Sequence, residues 1–220
     1  MSSLEDFISQ NGWEKLLDIM VEEGKRRNAP VLTLKEYLTE PFQHLVFAIL
    51  SARTRDEQTV KAAKRLIEVA DTPEKLASLP VEEIEKLISN AGFYRNKAKN
   101  LKAMAEILVK NHSSKVPDDF NQLTELPGVG RKTANVVLSY AFNKNTIAVD
   151  THVHRISNRL GFVKTKYPIE TERELERIVP VKYWRRLNRA MVAFGQTVCK
   201  PLKPLCQECP LGVFCPKIGV

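Results

Sequence analysis

Leu126-Pro127-Gly128-Val129-Gly130-Arg131-Lys132-Thr133-Ala134, with Asp150 following eighteen residues past Lys132, is the stretch that decides this chain. Gly128 and Gly130 flank one residue inside a tight turn. Glycine there permits positive φ and lets another group approach the backbone closely. A helix is predicted over Arg131–Phe142, and its first turn carries unpaired amide N–H groups and a partial positive charge. Arg131 and Lys132 add formal charge, so the turn reads as an anion site whose natural ligand is a DNA phosphate. Such contacts hold register without reading bases. The same turn can also be a plain corner between two helices. A Walker-type phosphate loop does not fit, because its four-residue spacer and Gly-Lys-Ser/Thr ending are missing.

Outward from this turn, apolar residues recur at three- and four-residue spacings, which marks helices. One amphipathic helix is expected from Leu4 to about Arg27, a second from Pro41, and a third over Asp56–Ala70. Thr72 and Pro73 open a short one. Val81–Ala91 is expected to be a helix capped by Gly92. Tyr94–Asn111 is a long basic helix, and Phe120–Leu126 precedes the turn. Thr151–Leu160, Glu170–Ile178 and Tyr183–Val198 complete the list. The predicted fold class is all-α. Some ten helices exceed one small bundle, so two helical lobes are expected.

The chain has 220 residues, 43% of them hydrophobic, with Lys+Arg 34 against Asp+Glu 26 for a net charge of +8. That excess points to a polyanionic partner. No stretch approaches the roughly 20 apolar residues of a membrane helix. Met1-Ser2-Ser3-Leu4-Glu5-Asp6 has neither a basic nor an apolar leader pattern, so a cytoplasmic location is expected.

All four cysteines sit near the C-terminus, spaced Cys199-x6-Cys206-x2-Cys209-x5-Cys215. They can wrap one metal centre. Their residue types leave iron–sulfur and zinc equally open, although a zinc ribbon normally carries two C-x2-C pairs.

The hairpin, its continuation through Asn135-Val136-Val137, and Thr146-Ile147-Ala148-Val149-Asp150-Thr151-His152 together resemble the helix–hairpin–helix, Gly/Pro-rich, aspartate signature of the endonuclease III family of DNA repair glycosylases. The likeness covers nearly the whole chain. It implies a discontinuous domain of residues 1–29 and 148–220 that carries a cluster, and a six-helix domain of residues 30–147. It also implies a DNA-binding cleft between the lobes. The cysteine spacing is that family's [4Fe-4S] spacing, which implies such a cluster on Cys199, Cys206, Cys209 and Cys215. Lys132 resembles the lysine of members that are both glycosylase and abasic-site lyase. The implied substrate is double-stranded DNA carrying oxidised pyrimidines, bound by a monomer in a nucleoid-associated setting. A mismatch or 8-oxoguanine glycosylase on the same fold, and a non-catalytic DNA-binding module, are the alternatives.

Residue chemistry supports the same roles. A neutral lysine amine can attack a sugar C1′, form a Schiff base and permit β-elimination. At a pKa of about 10.4 only about 0.04% of the amine is neutral at pH 7, against roughly 10% at a pKa of about 8. Asp150 precedes a predicted helix and reads as its N-cap. Capping favours the carboxylate, so Asp150 is expected to act as fixed counter-charge more than as base. His152 is expected to orient Asp150 or bond the backbone.

Base extrusion needs a residue to fill the gap. The resemblance places Arg53 where the family commonly has a glutamine, a departure that bears on the opposing base. It places Phe93 at an apolar wedge, although Phe93 could also be core. Arg53 and Arg55 could equally be solvated surface charge. Asp56 matches a family acidic position near the pocket or caps the following helix. Lys200 and Lys203, inside the cysteine loop, can meet phosphate.

Overall fold

The computed structural model describes residues 4–33 and 38–220; Met1-Ser2-Ser3, part of the stretch read for a leader, lie outside them. Every regular element among the described residues is helical. In chain order these are α1 Leu4–Arg26, α2 Pro30–Thr33, α3 Pro41–Ser51, α4 Asp56–Val69, α5 Pro73–Ser78, α6 Val81–Leu87, α7 Tyr94–Asn111, α8 Phe120–Glu125, α9 Arg131–Ala141, α10 Thr151–Arg159, α11 Pro168–Ile178 and α12 Trp184–Thr197. None of them is long and apolar enough to cross a membrane.

Internal contacts divide the chain into two units. One comprises Met1–Thr33 and Asn145–Val220, the other Leu34–Lys144. In the second unit α3 lies against α4, α7 and α9, with Phe42, Leu45, Val46, Ala48, Ile49 and Leu50 buried. From α7 come Ala98, Leu101, Met104, Ala105 and Leu108, spaced at three and four as one helical face requires. Fully burying each Leu or Ile contributes about 1.5–3 kcal/mol. Local signals start these helices. Pro41 stands at the first turn of α3 and Gln43 reaches back to the Glu40 amide. The Thr72 hydroxyl caps α5 and the Asp119 carboxylate caps α8.

In the first unit α12 is buried along most of its length, from Leu187 to Thr197, between α1 and α10. Small residues permit this. A Cβ on Gly24 of α1 would lie 2.7 Å from the Ala193 Cβ.

Two sequence expectations change. The single helix from Leu4 is interrupted at Gly12, whose φ of 78° and ψ of 164° lie outside the helical region. Helix α6 stops at Leu87 with Ile88 as its cap, so Gly92 does not end it. Gly92 instead sits in the turn entering α7, where it approaches other backbone closely.

Candidate active site

The predicted hairpin forms between α8 and α9, and its two glycines do different work. Gly128 adopts φ +83°, the left-handed region that glycine occupies freely. A Cβ there would also press to 3.2 Å against the Asn100 side chain. Gly130 is extended, at φ −95° and ψ 178°, and is the N-cap of α9 without a capping side chain. A Cβ at Gly130 would meet nothing within 4 Å. The amides of the first α9 turn are therefore approached over a bare backbone, which is the geometry of a helix-terminal anion site. Arg131 is exposed at this corner, its guanidinium 5.1 Å from the Phe120 ring centre.

Lys132 is the second residue of α9 and is half-buried. Its Nζ donates to Ser51 Oγ at 3.2 Å. Ser51 is the last residue of α3, and its own hydroxyl donates to the Ala48 carbonyl at 2.8 Å. With that proton committed, the Ser51 oxygen faces Lys132 as an acceptor. The packing of α3 on α9 thus sets where the amine points.

Beyond Ser51 the chain turns through Ala52, Arg53 and Thr54 into α4. Arg53 is exposed and left-handed at φ +50°; Phe93, the N-cap of α7, is left-handed at φ +57° and 61% exposed. Such φ values are strained for residues bearing a Cβ. Core packing of Phe93 is therefore excluded, and the Arg53 guanidinium lies 5.6 Å from its ring centre. The structure brings these two predicted residues together. Arg55 occupies the N-cap position of α4 without a side-chain cap. Asp56 is not the cap but the first helical residue, where its charge suits the helix dipole.

Asp150 caps α10. Its Oδ1 accepts from the His152 and Val153 amides, both at 2.9 Å. The segment before it is pinned by Asn188 Nδ2 donating to the Ala148 carbonyl at 2.7 Å. His152 donates its amide to Asp150, while its ring Nδ1 lies 3.1 Å from Arg155 Nη2. Arginine only donates, so this Nδ1 is the acceptor in the contact. Burial of the Arg155 guanidinium lowers its pKa from the ordinary arginine value.

Cys199, Cys206, Cys209 and Cys215 are all free and line one small cavity together with Phe194, Val198 and Leu205. No three His, Cys, Asp or Glu side chains among the described residues converge on a single-ion position. Burial pushes the Cys209 thiol up to about 11 and raises Cys215 as well. Arg159, buried in α10, braces the loop. Its Nη1 lies 3.6 Å from Cys199 Sγ and donates to the Lys200 carbonyl at 2.7 Å, while Nη2 donates to the Pro201 carbonyl at 3.0 Å. Lys200 and Lys203 are exposed on this loop.

Sequence reasoning missed Ser51, Lys97, Thr54, Arg155 and Arg159. Each acts through a partner distant in the chain. The one signal available was that Lys97 stands on the apolar face of α7, beside Ala98 and Leu101.

Residues 46–181 match the model of the HhH-GPD superfamily base excision DNA repair proteins. The chain is 48% identical over 196 residues to endonuclease III of Thermotoga maritima, covering 89% of this chain and 92% of that one. It is 41% identical to endonuclease III of Bacillus subtilis, covering 80% and 81%. A solved non-covalent endonuclease III–DNA complex superposes with a TM-score of 0.83 at 38% identity, covering 93% of this chain and 94% of that one. A trapped endonuclease III–DNA covalent intermediate gives 0.78 at 38% identity, with 89% and 96% covered. The chain therefore belongs to the endonuclease III family of the HhH-GPD superfamily, enzymes of the DNA glycosylase and abasic-site lyase class.

Proposed function

We propose that this enzyme removes oxidised pyrimidines of the thymine glycol type from double-stranded DNA and then cuts the abasic strand by β-elimination. The observation that carries this reading is Lys132, held on Ser51 in the first turn of the helix that the glycine hairpin opens. Its Nζ attacks the sugar C1′ and the base leaves with the glycosidic electron pair, taking up a proton; the C1′–O4′ bond then opens, an amine proton passes to O4′, and a Schiff base results. Removal of a C2′ proton then expels the 3′ phosphate as the C3′–O bond breaks. Asp150 supplies counter-charge to the cationic sugar, since its carboxylate is fixed by two amides. The amides of Gly128 and Gly130 together with Arg131 hold the DNA backbone. Arg53 fills the vacated stack, and Phe93 wedges beside it. His152 and Asp56 support the site.

The four cysteines fit a [4Fe-4S] cluster. They share one cavity walled by apolar side chains. A lone zinc would draw its thiolates to about 2.3 Å from one point, whereas a four-iron cluster spreads them over a wider shell. A cluster held by the four cysteines would fix this loop and would supply tunable redox character, while Lys200 and Lys203 offer charge to phosphate. The protein acts as a monomer.

Borohydride trapping on thymine glycol, uracil, mismatch, 8-oxoguanine and abasic duplexes tests the reading. The parent protein is expected to form a covalent adduct on thymine glycol and abasic duplexes, and Lys132→Ala none. Equal trapping by Lys132→Ala defeats the nucleophile assignment, and preference for a mismatch or 8-oxoguanine duplex defeats the substrate assignment.

A further inference from the structure

Among the described residues, Lys97 is the most buried cation of the second unit that the reaction does not use. Its side chain enters from α7 and is 7% exposed. Nζ donates to the Leu50 carbonyl at 2.7 Å, the Ala52 carbonyl at 2.6 Å and Thr54 Oγ1 at 2.7 Å. An ammonium has three N–H donors, so each meets one acceptor. The three acceptors come from one five-residue stretch, Leu50 to Thr54. That stretch contains Ser51, which bonds Lys132, and Arg53, which is held in a left-handed conformation.

Thr54 closes the arrangement. Its Oγ1 also accepts from the Gly92 amide at 3.1 Å, and Gly92 directly precedes the left-handed Phe93. One oxygen thus joins the Arg53 loop to the Phe93 turn. Without the cation, the Leu50 carbonyl loses its charged donor and the Ala52 carbonyl is left to the Thr54 hydroxyl at 3.4 Å; a buried carbonyl such as that of Leu50 is costly to leave without a partner. The strained φ at Arg53 persists only where its surroundings over-determine it. Burial, first, and the charge of Lys132, second, lower the Lys97 pKa to about 8. It is therefore predominantly cationic at neutral pH.

We propose that Lys97 is the positioning residue of the lesion-facing loop, clamping Leu50–Thr54 so that Arg53 is preset for insertion beside Phe93 and Ser51 is preset for contact with Lys132. The inference rests on the base-excision reading above and assigns Lys97 no contact with DNA.

The test uses full-length protein and a duplex carrying 2-aminopurine beside a stable tetrahydrofuran abasic analogue. The parent protein is expected to raise 2-aminopurine fluorescence as the loop enters the stack. Lys97→Met is expected to lose that rise and to excise thymine glycol on the order of 100-fold more slowly in single turnover, the penalty of a misplaced site. Its affinity for undamaged duplex should stay within about 2-fold, because phosphate contacts are untouched. Thr54→Val removes one acceptor and leaves the cation in place, so it serves where Lys97→Met does not fold. It is expected to show the same signature at about 10-fold. Parent-like fluorescence and excision in the folded variants overturn the proposal. If the parent protein neither excises nor traps, the base-excision reading fails separately. Amide exchange of residues 50–54 in DNA-free protein then decides the clamp: lost protection in the variant supports it, and unchanged protection refutes it.

Discussion

Gly92 lies so close to Arg53 that a Cβ at residue 92 would sit 2.3 Å from the Arg53 carbonyl oxygen. The neighbour is backbone, so no side-chain rotation relieves the clash. Gly92 has no positive φ to protect; it is small because the two loops share space. Gly92→Ala should destabilise the fold by about 1–3 kcal/mol, as overpacking does, and slow excision more than it weakens binding to undamaged DNA. Urea unfolding and single-turnover kinetics check this. Parent-like values for both would mean that the loops part without consequence.

Asp150 serves as cap and as charge, and two substitutions separate these roles. Asparagine caps a helix as well as aspartate, so Asp150→Asn should remain within about 0.5 kcal/mol of the parent protein, whereas Asp150→Ala should lose about 1 kcal/mol. Both should lower excision by about 100- to 1000-fold, because both remove the counter-charge. An active Asp150→Asn would leave Asp150 with a capping role alone.

Arg159 ties the first cysteine to its loop through Cys199 Sγ and the Lys200 and Pro201 carbonyls. Arg159→Met removes the charged donor from these part-buried acceptors, at about 1–3 kcal/mol. Lower melting temperature and lower iron content after anaerobic purification are the expected results. Full iron and parent-like melting would show that the cysteines organise this loop unaided.

The Lys97 ammonium titrates at about 8 in the folded protein, against an ordinary 10.5. Below pH 8 both folded and unfolded chains hold the proton, and the penalty of burying the charge is present in full. Between about 8 and 10.5 the unfolded chain binds the proton that the folded chain releases, so this group's contribution to stability rises with pH. Urea unfolding at about pH 7.5 and about pH 9.5 should show the parent protein gaining on Lys97→Met. A difference between the two that does not move with pH would contradict the depressed pKa.

Much of the fold was legible because helices announce themselves locally. Pro41 and Thr72 mark helix starts through their own backbone and side-chain chemistry, and α7 reads from a three-and-four apolar rhythm. The failures were local conflicts. At Gly12 a favourable apolar pattern spans a residue with a non-helical backbone. At Gly92 a plausible cap lies past a helix that had already ended at Leu87. Periodicity reports faces and not which contact prevails where a glycine allows both.

The all-helical class, the glycine hairpin with Lys132 in the following first turn, Asp150 as a cap and the cysteine spacing could all be read along the chain. Each depends on neighbours within a few residues, where bond geometry and helix pitch leave few choices. Helix packing alone brings Ser51 to Lys132, lets Lys97 gather Leu50, Ala52 and Thr54, and carries Arg159 to Cys199. Those partners lie 40 to 81 residues apart. A buried donor can be satisfied by any acceptor that packing brings within reach, so its identity is settled when the helices come together.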